Sequence, residues 1–137
     1  MPQLVYRSAL ENPDLAWLEE RWHTSVQRSF MIYNVPQNAV RGGHSHRHCQ
    51  MALVCLVGSV DVYVQTPAQD FTYSLRSPEH FLLLEPQDWR LMYNFSPDAV
   101  LLVLADRSYH STVYIDSAYR PVPIGQKREE HLSVLVS

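Results

Sequence analysis

The sequence predicts an all-β domain, a sandwich or barrel with little helix, and three observations predict it. From Phe30 onward, β-rich apolar stretches recur, each bounded by Pro, Ser, Asp or Gly. Many short strands at such spacing build antiparallel layers rather than a parallel sheet. The run Met51 to Val57 is continuously apolar, and Gly58-Ser59 turns it into Val60-Asp61-Val62-Tyr63-Val64. Finally, 137 residues with 46% hydrophobic and 18% charged side chains make one globular domain with a core of its own.

Taken in order, Leu4-Val5-Tyr6-Arg7 is a short strand candidate. Residues 12–22 carry two readings. Asn12-Pro13-Asp14 has the form of a helix N-cap with proline in the first turn, whereas the family resemblance described below favours a strand at about Leu15 to Glu19, and we expect the strand. Phe30 to Val35 is β-rich and stops at the turn signal Pro36-Gln37-Asn38. After Met51–Val57 and Val60–Val64, a loop at Thr66-Pro67-Ala68 leads to strands at Phe71–Leu75, Phe81–Leu84, Arg90–Phe95 and Val100–Leu104. Beyond Ser108 the pattern weakens; a turn of helix is expected at Thr112 to Ser117, and the tail after Pro121-Val122-Pro123 either pairs as an edge strand or wanders. There are no internal repeats. We expect a single domain over 1–137, with N-terminal strands to about 27, the main strands at 28–116 and a tail at 117–137.

Charge excludes some functions. A net charge of −3 and a pI of about 6.1 argue against a nucleic-acid binder, which would show a basic stripe. No apolar run approaches a membrane span and no signal peptide opens the chain. Cys49 and Cys55 flank one expected strand, which holds them too far apart for a bridge. Reduced thiols and a cytoplasmic protein are therefore expected.

The candidate site is Arg41-Gly42-Gly43-His44-Ser45-His46-Arg47-His48-Cys49-Gln50. With the period of two of a strand, His44, His46 and His48 share a face. Adjacent imidazoles suit metal ligation or acid–base chemistry.

These residues carry a family resemblance. His-x-His-x-x-x-Gln, then a strand and a Gly turn, resembles the first cupin motif, with Gln50 where cupins usually carry Glu. Arg41-Gly42-Gly43-His44-Ser45-His46 followed by Leu53-Val54-Cys55-Leu56-Val57-Gly58-Ser59 is similar to the nucleotide-sugar 3,4-ketoisomerases, whose pattern is Arg-Gly-x-His-Ala-His. Pro86-Gln87-Asp88-Trp89-Arg90-Leu91-Met92-Tyr93-Asn94-Phe95-Ser96-Pro97-Asp98 resembles the family's Trp-x-x-Met-x-x-Phe-Ser-x-Asp block, and Tyr109 to Tyr114-Ile115 echoes a family ending. Together these cover about residues 28–116. Departures are Ser45 for alanine, Met51 for glutamine, Met31 for an aromatic, Val113 for aspartate and Asp106 for serine.

The resemblance implies a jelly-roll cupin, a homodimer and a dTDP-linked 4-keto-6-deoxy sugar as substrate, with no cofactor and no metal. His46 is then the carbon base and His44 its helper at oxygen. Arg41 stabilises the enediolate or holds the diphosphate. Tyr33, Trp89 and Gln50 are candidate substrate contacts, Tyr33 and Trp89 being equally suited to the core. His48 is expected at the rim, and Asp98 in a turn. Two other readings stand beside this one: a metal-dependent cupin using His44, His46 and Gln50, and a non-catalytic sugar-binding cupin. Against the former, Pro86 to Leu91 supplies no third histidine, so the donor set is poor for iron or zinc.

Overall fold

A computed structural model describes residues 1–6, 15–108 and 113–124. Its elements are β1 (Gln3–Tyr6), α1 (Leu15–Trp22), β2 (Arg28–Tyr33), β3 (Arg41–His46), β4 (Met51–Val57), β5 (Val60–Gln65), β6 (Asp70–Leu75), β7 (His80–Leu84), β8 (Trp89–Tyr93), β9 (Val100–Ala105) and β10 (Tyr114–Ile115). Two antiparallel five-stranded sheets face each other, ordered β1-β7-β4-β9-β2 and β10-β3-β8-β5-β6. The all-β sandwich is as expected.

Period-two alternation decides what lies between the sheets. From β4 come Met51, Leu53 and Cys55, from β5 Val60, Val62 and Val64, and from β9 Leu101, Val103 and Ala105, all in one buried cluster. The alternate residues of the first sheet face outward. There Ala52, Leu83 and Leu104 pack beneath Leu18 and Trp22 of α1, which is why β4 reads as apolar on both faces.

Two elements differ from expectation. Leu15 to Trp22 is helical, not a strand. Leu18 and Trp22, four residues apart, form its buried face, while Glu19-Glu20-Arg21 lie between them. His23 at φ 60° ends it, with Thr24 N donating to Glu19 O. The helical spacing of Leu18 and Trp22 outweighed the resemblance, while Asn12-Pro13-Asp14 lies outside the described residues. The expected helical turn near Thr112 to Ser117 is also absent from the described part of that segment, where Tyr114 and Ile115 pair with His46 and Ser45 of β3. The unpaired edge of β3 recruits them as a strand, and Arg47 N donates to Val113 O to extend the pairing. Thr112 and Tyr109 lie outside the described residues, as does the tail beyond Ile124.

After β10 the chain crosses the outer face of the second sheet. Trp89 Nε1 donates to Asp116 O at 3.0 Å. Buried Gln65 accepts from Tyr119 N and Arg120 N and donates to Arg120 O. Arg120 pairs with Asp70. At the opposite turn, Gly58 is required: at φ +72° an added Cβ would lie 2.2 Å from Ser96 Oγ and 2.6 Å from Asp98 Oδ1. Asp98 accepts from Ser96 Oγ in that turn, as expected of a turn residue.

Candidate active site

The site is built on β3. Arg41 and His44 are three apart, so a regular strand would point them to opposite faces. The register shifts between Gly42 and His44: Arg41 lies opposite Met92, Gly42 opposite Leu91, and His44 opposite Arg90. This bulge absorbs one residue, so Arg41, His44 and His46 all lie on the face that Met92 and Arg90 present to the interior. Gly42 and Gly43 make it with φ of 86° and 82°. A Cβ on Gly42 would also meet Arg90 O at 3.0 Å.

The two imidazoles stand edge to face, centroids 4.9 Å apart. Tyr114, opposite His46 on β10, packs its ring 4.9 Å from that of His44 and 4.8 Å from that of His46. His44, His46 and Arg41 are all buried, His46 completely. Among the described residues, neither ring nitrogen of His46 has a hydrogen-bond partner. Burial, then the positive charge of Arg90, then His44 and Arg28, drive the His46 pKa far below the ordinary 6.5. These effects favour the neutral form of the His46 imidazole.

Arg28 and Arg90 are site residues that the motif reading missed. Arg90 is buried; its Nε donates to Asp88 O and its Nη1 to Met51 Sδ at 3.4 Å. Burial holds its pKa down to about 10, leaving it charged at neutral pH. Arg28 lies over the Phe30 ring, its guanidinium carbon 5.3 Å from the centroid. Alternation was the available signal: Arg28 shares a face with Phe30 and Ile32, and Arg90 with Met92, so each arginine stands where a core residue belongs. Met51, in place of the family glutamine, still offers Arg90 a weak acceptor.

The other candidates are placed elsewhere. Trp89 points away from the histidines, into a cluster with Val40, Tyr63 and Leu91 beneath Ala118, Val122 and Ile124. As an odd neighbour of Arg90 it must face the opposite side of β8, so it is core. Tyr33 is 58% exposed on the outer face of β2, because Ile32 takes the inward position. Gln50 N and Nε2 both donate to Asp106, tying the β3–β4 loop to the end of β9. His48 follows β3, exposed in the turn, and so does not continue the His44–His46 face.

His48, Gln50 and Asp106 line an open polar cavity of about 570 Å³, with Trp22, Pro86 and Arg107 among its other walls. It opens at the end of the sandwich where β3 finishes and β2, β4 and β8 begin, the end that holds His46, Arg28 and Arg90. The interior space bounded by His44, Arg90, Met51 and Phe30 is only about 20 Å³, room for one water. Among the described residues, no three His, Cys, Asp or Glu side chains converge as metal donors, and the Gln50 amide is engaged by Asp106.

A buried, uncharged imidazole has a lone pair free to accept a proton, and the guanidinium groups near it suit an anion; the same positive charges oppose imidazolium until such an anion forms beside it. The model of the family described as "FdtA: WxcM-like, C-terminal" matches residues 7–120. The chain belongs to that family. A curated relative is the TDP-4-oxo-6-deoxy-alpha-D-glucose-3,4-oxoisomerase of Aneurinibacillus thermoaerophilus, 35% identical over 91 residues; the match spans 66% of either chain. Among solved structures, a His-to-Asn mutant of the 3,4-ketoisomerase QdtA from Thermoanaerobacterium thermosaccharolyticum, in complex with TDP-4-keto-6-deoxyglucose, is 34% identical. It superposes with a TM-score of 0.65 over 68% of this chain and 67% of its own. A 3,4-ketoisomerase from Helicobacter canadensis gives a TM-score of 0.71 at 26% identity, over 85% and 90%.

Proposed function

We propose that this chain is an isomerase that converts dTDP-4-keto-6-deoxyglucose into a dTDP-3-keto-6-deoxyhexose. The observation that carries the reading is His46: a neutral, fully buried imidazole with both nitrogens unbonded, 4.9 Å from a second imidazole. The relatives supply the reaction class, and the ligand of the solved QdtA complex supplies the substrate.

The C3 proton of the substrate is acidic because the C4 carbonyl stabilises the carbanion. A ring nitrogen of His46 removes it, and the electron pair forms a C3=C4 double bond while the C4 oxygen becomes an enediolate. Arg41, Arg90 and Arg28 offset that charge in a dry setting, where such contacts act strongly. The proton held by His46, in exchange with solvent, is then returned at C4 as the C3 hydroxyl proton passes to the C4 oxygen, leaving a ketone at C3 and a neutral imidazole. His44 assists between the oxygens. The nucleotide would occupy the open cavity that Gln50 helps to line. We further propose one cupin domain over 1–137, a homodimer, and, from the free buried thiols of Cys49 and Cys55, a cytoplasmic setting.

The test is a set of three variants. His46→Asn keeps size but loses the proton acceptor, and turnover should fall by about two to four orders of magnitude. His44→Asn should retain measurable activity, because an oxygen proton also exchanges through water. His48→Asn, which changes a wall of the cavity but no reacting group, should keep a wild-type kcat, any change being confined to KM. Wild-type deuterium exchange at C3 in His46→Asn would place the base elsewhere.

A further inference from the structure

We infer that Tyr114 is a positioning residue that holds the His46 ring and keeps water from it. The inference rests on the reading of His46 as the carbon base. Catalytic histidines are ordinarily oriented through their second nitrogen, by a carboxylate or a carbonyl. His46 has no such partner on either nitrogen. What remains to fix the plane of its ring is packing. Two rings touch it: His44, at 4.9 Å and 80°, and Tyr114, at 4.8 Å and 54°. His44 is itself braced by Tyr114, at 4.9 Å and 88°. One tyrosine ring therefore buttresses both imidazoles.

Its own placement is well determined. Tyr114 lies directly opposite His46 in the β10–β3 ladder, so its side chain shares the inner face. Two residues further on, Asp116 O accepts from Trp89 Nε1, and the chain then runs into the Gln65 and Asp70 contacts. A two-residue strand would fray alone; the segment after it pins it. The groups facing His46 are the guanidinium groups of Arg90 and Arg28, the His44 imidazole and the Tyr114 ring. No carboxylate is among them, so nothing nearby favours imidazolium, and exclusion of water reinforces the neutral base.

The first test needs no turnover. Side-chain 15N spectra of the free protein report the charge of each imidazole as pH is lowered. In wild type and in Tyr114→Phe, which keeps the ring, the His46 signals should stay those of a neutral imidazole to a pH below the ordinary histidine range. In Tyr114→Ala, water reaches the ring and its titration should move up towards the ordinary histidine range. Should that variant not fold, Tyr114→Leu fills much of the space without a flat surface. It should lower kcat by about 10- to 100-fold with little change in KM, the usual effect of losing a group that orients a functional side chain. Wild-type His46 signals in Tyr114→Ala, or a wild-type kcat in Tyr114→Leu, would overturn the assignment. So would Tyr114→Phe failing as badly as Tyr114→Leu, because the hydroxyl would then be the acting group. Failure of the isomerase reading would show as absence of turnover in wild type, while the spectra would still answer for Tyr114.

Discussion

At the scale of single residues, His46 makes a prediction about stability as well as catalysis. Its folded-state pKa lies below the ordinary 6.5, so the unfolded chain binds the extra proton first. The neutral ring contributes its full stability above pH 6.5, and that contribution is lost progressively as pH falls below it, by at most about 1.4 kcal/mol per pH unit. Urea midpoints measured from pH 7 down to pH 5 should fall in wild type and fall less steeply in His46→Asn. Equal slopes would contradict the pKa assignment. The arginines show where residue-level reading stopped. Arg41 lay inside a recognisable motif, whereas Arg28 and Arg90 were visible only as charges at inward positions of strands. Tyr33 and Trp89 were judged by chemistry alone, and alternation sends both away from the imidazoles.

At the scale of elements, the β3 bulge is what assembles the site. Gly42→Ala would strain a φ of +86° and press a Cβ to 3.0 Å from Arg90 O. We expect a loss of at least about 1 kcal/mol and a larger loss of kcat, because the bulge sets Arg41 and His44 on one face; unchanged kinetics in that variant would argue against the bulge as the organising device. The segment after β10 is held by Gln65, and Gln65→Ala leaves the Tyr119 and Arg120 amides without their acceptor. The cost should be about 1–3 kcal/mol, with faster hydrogen exchange at those two amides as the local signature. Strand positions from Phe30 to Leu104 were legible because alternation and turn residues agreed there. Residues 15–22 were misread because a short helix with one buried stripe was weighed against a resemblance. Tyr114-Ile115 could not be read as a strand locally, since its reason to be one is the open edge of β3, far away in sequence.

At the scale of the whole molecule, α1 covers only part of the outer face of the first sheet. Met31, Tyr33, Leu56 and Val57 remain exposed, at 53%, 58%, 38% and 47%, a scatter of apolar groups that a second copy of the chain would cover. Sedimentation at micromolar concentration should give a dimer, and Met31→Glu should shift it towards monomer; a stable wild-type monomer would count against the proposed assembly. Central to the account is that the imidazole pair moves a carbonyl along a sugar. The direct measurement is proton NMR of dTDP-4-keto-6-deoxyglucose incubated with the protein in D2O. The account predicts that the 4-keto sugar signals decay, that a 3-keto-6-deoxyhexose appears, and that C3 exchange accompanies its formation and is lost with His46→Asn. A substrate that binds but returns unchanged, its C3 proton intact, would contradict it.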